Sequence, residues 1–285
     1  MESLPESLDC AGLKVAVDAA NGATAGVAPG VFRALGADVT VINDAPDGVN
    51  INENCGSEHT DGLRALVRRV GADVGLAFDG DGDRLIAVDE KGEVLTGDQT
   101  LIICAKMLKD ERRLTNNRIV STVMSNLGLK AACRSLGIEN YAADVGDRHV
   151  MEEMQRLGAV LGGESSGHVV FLDRHTTGDG ILTGVQLVAA MLKSDKRLSE
   201  LAGLMEVFPQ SLVNVEVSSK PELESVSEVI EAIREVESEL GEAGRVLVRY
   251  SGTQPLCRVM VEGPTEEKTA RYATELANVV KAYLG

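Results

Sequence analysis

No apolar run in the sequence approaches the roughly 20 residues that a membrane-spanning helix requires. The first residues, Met1-Glu2-Ser3-Leu4-Pro5-Glu6, lack the basic and apolar stretches of a secretory leader. These two absences predict a soluble, cytoplasmic chain with no membrane partner. Cysteine is sparse as well. The five present (Cys10, Cys55, Cys104, Cys133, Cys257) include no C-x-x-C pair, which argues against a zinc knuckle or a disulfide framework and for reduced, mostly buried thiols. Positive charge is in short supply, with 28 Lys and Arg against 44 Asp and Glu, a formal net charge of −16. A phosphate backbone would be repelled by that mean field, so nucleic acid is excluded as a partner, and any bound phosphate must meet a local cluster of positive groups. No repeat or low-complexity tract is evident, although two successive α/β units could be distant relatives.

What is present is ample core. At 285 residues and 44% hydrophobic content the chain can form one large or two to three modest domains. Short runs rich in Val, Ile and Leu read as strands over 13–18, 38–42, 74–78, 85–88, 119–123, 160–161 and 169–172. Amphipathic stretches over 28–35, 62–70, 99–108, 129–136, 148–157 and 180–192 read as helices between them. The C-terminal part has a β-α-β-β-α order: a strand over 212–217, a helix over 221–240, strands over 245–249 and 258–261, and a helix over 265–283. The expected fold class is α/β, with two successive mixed layered α/β domains (1–98 and 99–205) and a small C-terminal α+β domain (206–285).

Three loops carry chemistry. The first is Asp79-Gly80-Asp81-Gly82-Asp83-Arg84, in which carboxylates at every second position, separated by glycines, converge readily on a hard divalent cation such as Mg²⁺ or Mn²⁺. An EF-hand would also use acids at 79, 81, 83 and 90, but it needs glycine where Arg84 stands and helices where the flanks read as strands. A phosphatase with an Asp nucleophile would place its acids after the first strand, and here they follow a later one. A solvated acidic hairpin turn stays open on the residues alone. The second loop, Gly162-Gly163-Glu164-Ser165-Ser166-Gly167-His168, offers a carboxylate, hydroxyls and an imidazole suited to sugar hydroxyls, or it is simply a glycine-rich turn. The third, Arg249-Tyr250-Ser251-Gly252-Thr253-Gln254-Pro255 followed by Arg258, has the chemistry of a phosphate cradle, or it is a hairpin with incidental arginines.

In order and spacing these loops resemble the last three domains of the α-D-phosphohexomutase family, and the resemblance covers nearly all residues from Gly12 onward. It implies that Asp79, Asp81 and Asp83 hold Mg²⁺, and that Arg84 is a catalytic arginine beside them. It also implies that Glu164, Ser166 and His168 recognise sugar, and that Arg249, Ser251, Gly252 and Thr253, with Arg258 nearby, hold phosphate. Val145-Gly146-Asp147-Arg148 looks like a family segment that brings Arg148 to substrate. Pro46–Asn52 and Cys55–His59 resemble segments of the branch that interconverts glucosamine 6-phosphate and glucosamine 1-phosphate. The same reaction on mannose or glucose phosphates, and a non-catalytic phosphosugar-binding module, stand as alternatives.

Two departures from the family pattern bear on activity. A complete member begins with a further α/β domain carrying the serine that is phosphorylated, and nothing before Leu13 resembles it. Ser125-Asn126 lies in a segment resembling the third domain and is not taken as that serine. The chain is therefore expected to be an enzyme of this family without its first domain, nearly inactive alone, with the missing serine-bearing domain as a candidate partner. A binding module that pairs with a separate serine domain is the alternative. The other departure is Gln254, where the family usually has Glu.

Overall fold

A computed structural model describes residues 8–252 and 254–285. Its first sheet is built from β1 (Lys14–Asp18), β2 (Asp38–Ile42), β3 (Val74–Phe78) and β4 (Leu85–Asp89), in the order β2-β1-β3-β4. β1 runs parallel to β2 and β3, and β4 closes the edge antiparallel to β3. Every residue of β3 is buried, as expected for an apolar run covered on both faces. Helices α1 (Ala28–Ala34) and α2 (Asp61–Val70) make the crossovers. α2 ends on Gly71 in the left-handed conformation (φ 62°), which satisfies the last carbonyls at no steric cost.

After α3 (Gly97–Asp110) the pattern repeats. A second sheet takes the order β6-β5-β7-β8, from β5 (Arg118–Thr122), β6 (Glu139–Ala143), β7 (Leu161–Gly163) and β8 (Val169–Phe171). Again three strands are parallel and the last is antiparallel. α4 (Leu127–Ser135) and α5 (Asp147–Leu157) are its crossovers, followed by α6 (Gly180–Ser194) and the short α7 (Leu198–Ala202). α3 starts on a capping box in which Thr96 Oγ1 accepts from Gln99 N and Gln99 Oε1 accepts from Thr96 N. α6 starts on Asp179, whose carboxylate accepts from Leu182 N.

Both sheets belong to one compact unit, comprising the chain up to Ser125 together with Leu129–Glu206. Phe32, Phe78, Leu85, Ile102, Ile119, Phe171 and Leu187 fall in one buried cluster. α3 and α6 contribute to that cluster along their length, so residues on both sides of position 98 share it.

The second unit comprises Val207–Gly285 with Asn126–Gly128. An antiparallel sheet of order β10-β11-β9 is formed by β9 (Gln210–Glu216), β10 (Arg245–Tyr250) and β11 (Leu256–Glu262). α8 (Ser227–Leu240) and α9 (Glu266–Leu284) bury Val229, Val236, Leu276 and Val280 against Val259 and Val261. Within this unit the buried Glu262 carboxylate accepts from Arg245 Nε (2.7 Å), Leu127 N (2.9 Å) and Asn126 Nδ2 (3.2 Å).

Three elements differ from the sequence expectation. β6 was not anticipated, because Glu-Asn-Tyr-Ala-Ala is polar. It pairs only with β5 at the sheet edge, where one neighbour suffices. α7 is short and follows directly on a charged stretch, so its pattern is weak. The helix expected over 221–240 begins at Ser227, because Leu223 and Val226 turn inward to pack on the core first and Val226 is non-helical (φ −103°, ψ 88°).

Candidate active site

The acidic loop joins β3 to β4 as a hairpin closed by the Phe78–Leu85 pair, which places the carboxylates at the C-terminal end of a parallel strand. Asp79 sets its shape: Oδ1 accepts from the backbone N of Gly82 (3.1 Å) and of Arg84 (3.0 Å). Gly82 takes a positive φ of 82°, a conformation that L side chains disfavour. With that turn made, one oxygen from each of Asp79, Asp81 and Asp83 lies within 4.8 Å of the others. The Arg84 Nε stands 3.8 Å from Asp83 Oδ1 and 4.0 Å from Asp79 Oδ2. A donor set of three carboxylates fits a hard divalent cation.

The second loop is stapled to the first within the same unit. Leu85 N donates to Gly167 O (3.1 Å), and Arg84 and His168 form an antiparallel bridge. Gly97 N donates to Ser165 O (3.0 Å) and Gly180 N to Gly82 O (2.9 Å), so the N-termini of α3 and α6 each hold one loop. A Cβ at Gly97 or Gly180 would overlap the loop backbone, and one at Gly167 would overlap the Leu85 carbonyl at the start of β4, which explains glycine at these close approaches. Glu164 is aimed by Gly146 N, which donates to Oε1 (2.9 Å), while Ser166 Oγ donates to Oε2 (3.3 Å). His168 is buried, with Nδ1 3.7 Å from Asp83 Oδ2. Its Nε2 has no hydrogen-bond partner among the described residues. The structure therefore brings Asp79, Asp81, Asp83, Arg84 and His168 together, with Glu164 and Ser166 on the adjoining loop. Arg148 is engaged elsewhere: it is 82% exposed and donates to Glu152 one turn along α5 (2.8 Å).

In the second unit, Arg249 and Arg258 stand directly opposite each other in the β10–β11 register. Burial first, and then the neighbouring Arg258 charge, pushes the Arg249 guanidinium below its ordinary pKa. Neither Nε has a hydrogen-bond partner among the described residues. Like charges placed opposite across a ladder repel, and an anion between them would relieve the repulsion. Ser251 is buried in the turn that follows, its N donating to Leu256 O (2.8 Å) and its Oγ accepting from Gln254 N (3.3 Å). Gly252 lies in the same turn, and Thr253 lies outside the described residues. Lys220, which the sequence reading did not single out, donates to Ser251 O (2.6 Å). A lone lysine far upstream of the hairpin carries no local signal.

Comparison with known proteins places this arrangement in a class. The family models described as phosphoglucomutase/phosphomannomutase alpha/beta/alpha domain II, alpha/beta/alpha domain III and C-terminal domain match residues 2–92, 96–208 and 212–279 in turn. The chain belongs to the α-D-phosphohexomutase family. It is 62% identical over 283 residues to the phosphoglucosamine mutase of Syntrophobacter fumaroxidans, covering 99% of this chain and 63% of that protein. The phosphoglucosamine mutase of Syntrophus aciditrophicus is 58% identical with the same coverage. The chain thus spans 63% of the length of these curated relatives. Among solved structures, the Aspergillus fumigatus N-acetylphosphoglucosamine mutase in complex with GlcNAc-6P and magnesium shares the fold, with a TM-score of 0.78 at 20% identity over 98% of this chain and 68% of that one. A Burkholderia thailandensis phosphoglucomutase/phosphomannomutase family protein matches with a TM-score of 0.76 at 25% identity over 95% of this chain and 60% of that one.

Proposed function

We propose that this chain is the metal-, sugar- and phosphate-holding part of a phosphoglucosamine mutase, which interconverts glucosamine 6-phosphate and glucosamine 1-phosphate through an enzyme phosphoserine. The observation that carries this reading is 62% identity to a phosphoglucosamine mutase across 99% of the chain. Asp79, Asp81 and Asp83 would hold Mg²⁺, and the ion would supply charge neutralisation at the transferring phosphoryl group. Arg84, tethered between two of those carboxylates, presents a fixed positive charge to the same oxygens. Glu164, oriented by Gly146 and Ser166, accepts hydrogen bonds from sugar hydroxyls. His168, buried beside Asp83 and bridged to Arg84, serves the site by fixing the sugar loop against the acidic loop. Arg249, Arg258 and the Ser251–Gly252 turn bind the phosphate that is not reacting, and Arg148 swings from Glu152 to reach substrate. In the full reaction the phosphoserine P–O bond would break as a sugar hydroxyl oxygen takes the phosphoryl group, and the hydroxyl proton would end on the departing serine oxygen. The bisphosphorylated sugar then reorients and returns its other phosphate to serine. The proposed setting is the cytoplasm, with a phosphohexosamine as substrate.

The family mechanism places the serine on domain I, whereas the matched domains here are II, III and C-terminal. This chain alone is therefore expected to bind Mg²⁺ and sugar phosphate with little turnover. Adding the separately produced serine-bearing domain of the Syntrophobacter relative should start glucosamine 1-phosphate formation from glucosamine 6-phosphate. Full turnover by the chain alone would refute the missing-donor argument. Tight phosphosugar binding with no turnover in the mixture would favour a binding module.

A further inference from the structure

Asp18 is the last residue of β1, fully buried, and no salt bridge reaches it among the described residues. A carboxylate buried without a counter-charge is costly unless its oxygens are well bonded. Both oxygens are used, and each fixes a different piece of chain. Oδ1 accepts from Ala20 N (3.0 Å) and Oδ2 from Gly56 N (3.1 Å), 38 residues further on.

Both pieces grip the acidic loop. On the first, Ala20 and Asn21 take positive φ angles of 53° and 48°, a left-handed conformation that Asn tolerates and that is unfavourable for Ala without local support. That bend brings Gly22 so close to Gly80 that a Cβ would overlap the Gly80 carbonyl. Ala23 N then donates to Gly80 O (2.8 Å). On the second piece, Gly56 at φ 75° lies where a Cβ would come within 2.6 Å of Phe78 O, and Ser57 N donates to that same oxygen (2.9 Å). Phe78 and Gly80 flank Asp79 on both sides. One carboxylate therefore organises both backbone contacts that hold the first member of the acidic triad.

We propose that Asp18 is a positioning residue for the metal loop: it sets the affinity of Asp79, Asp81 and Asp83 for a divalent cation without touching that cation. The inference rests on the metal-binding reading of the triad. Changes to groups that orient metal ligands typically weaken binding by about 10- to 100-fold.

Asp89 provides an internal control. It is a second buried carboxylate of the same unit, at the far end of β4, and its Oδ1 accepts from the backbone N of Lys91 and of Glu93. Loss of either carboxylate removes comparable backbone bonds, but only Asp18 acts on the acidic loop. The test is a Mn²⁺ titration of the full 285-residue chain, followed by electron paramagnetic resonance of the free ion, with thermal melts in parallel. Asp18→Asn should raise the Mn²⁺ dissociation constant by about tenfold or more, and Asp89→Asn should leave it unchanged while lowering the melting temperature. Gly22→Ala, which keeps Asp18 and pushes on Gly80 directly, should weaken Mn²⁺ in the same way and carries the test if Asp18→Asn is not recovered folded. Equal Mn²⁺ affinity in the wild type and in Asp18→Asn or Gly22→Ala overturns the positioning role. Equal weakening by Asp89→Asn also overturns it, since the effect would then be general loosening. A wild-type chain that binds no Mn²⁺ overturns the metal reading itself, and the positioning role with it.

Discussion

Arg249 and Arg258 show how a pair of residues can be poorly placed for the free fold and well placed for a ligand. They face each other across β10 and β11, where directly opposed like charges are destabilising. Replacing Arg258 with Ala should leave the thermal stability of the ligand-free chain unchanged or slightly higher. The same change should abolish the stabilisation that inorganic phosphate gives the wild type, read as the phosphate-dependent shift in melting temperature. A variant that loses stability without phosphate and still responds to it would contradict the anion-binding role. Residues of this kind were legible in the sequence, because the chemistry of Asp79-x-Asp-x-Asp83 or of paired arginines is carried by side chains a few positions apart. Asp18 was not. It reads as the polar end of a strand, and its role depends on Gly56, 38 residues away. Gln254 contributes to the phosphate turn through its backbone N, which donates to Ser251 Oγ, a bond any residue but proline can make.

Among the elements, α3 and α6 do most to hold the candidate site in unit one. Their N-termini bind the sugar and acidic loops, and their other ends are joined by Glu111, which bonds Arg113 Nη1 (2.9 Å) and Lys193 Nζ. Arg113 continues to Asp173 beyond β8 (2.9 Å). Burial pushes the Glu111 pKa up, but the hydrogen bonds from Lys193 and Arg113 outweigh it and hold the carboxyl below its ordinary value. A carboxylate with a depressed folded-state pKa contributes stability that is present above its unfolded value and lost as pH falls through the folded value. Glu111→Gln should therefore lower stability at pH 7 by about 1–2 kcal/mol, and wild type and variant should converge in acid below the ordinary Glu range. A difference that persists unchanged in acid would show that the charge is not responsible. Most elements were legible because their apolar periods are strong, as in the fully buried run of β3. β6 escaped because an edge strand needs little burial, and the start of α8 moved because burying Leu223 and Val226 outweighs extending the helix.

At the scale of the whole molecule, the two α/β sheets share one strand order, parallel except for the last strand, although no repeat is visible in the sequence. Periodicity specifies a layer, whereas the repeated crossover order emerges only from strand pairing. The two sheets then merge into one core, which sequence patterns do not reveal because helices such as α3 and α6 look alike whether they serve one sheet or two. The phosphate loop belongs to the other unit, with a core of its own. The most direct measurement joins this chain in one polypeptide to the serine-bearing N-terminal domain of the Syntrophobacter relative. Turnover is then compared on glucosamine 6-phosphate, glucose 6-phosphate and mannose 6-phosphate with Mg²⁺ and a sugar bisphosphate activator. The predicted result is formation of glucosamine 1-phosphate with the highest kcat/KM of the three, abolished by Asp79→Asn. A folded, Mn²⁺-binding fusion that turns over none of the three, or prefers mannose or glucose phosphate, would contradict the account.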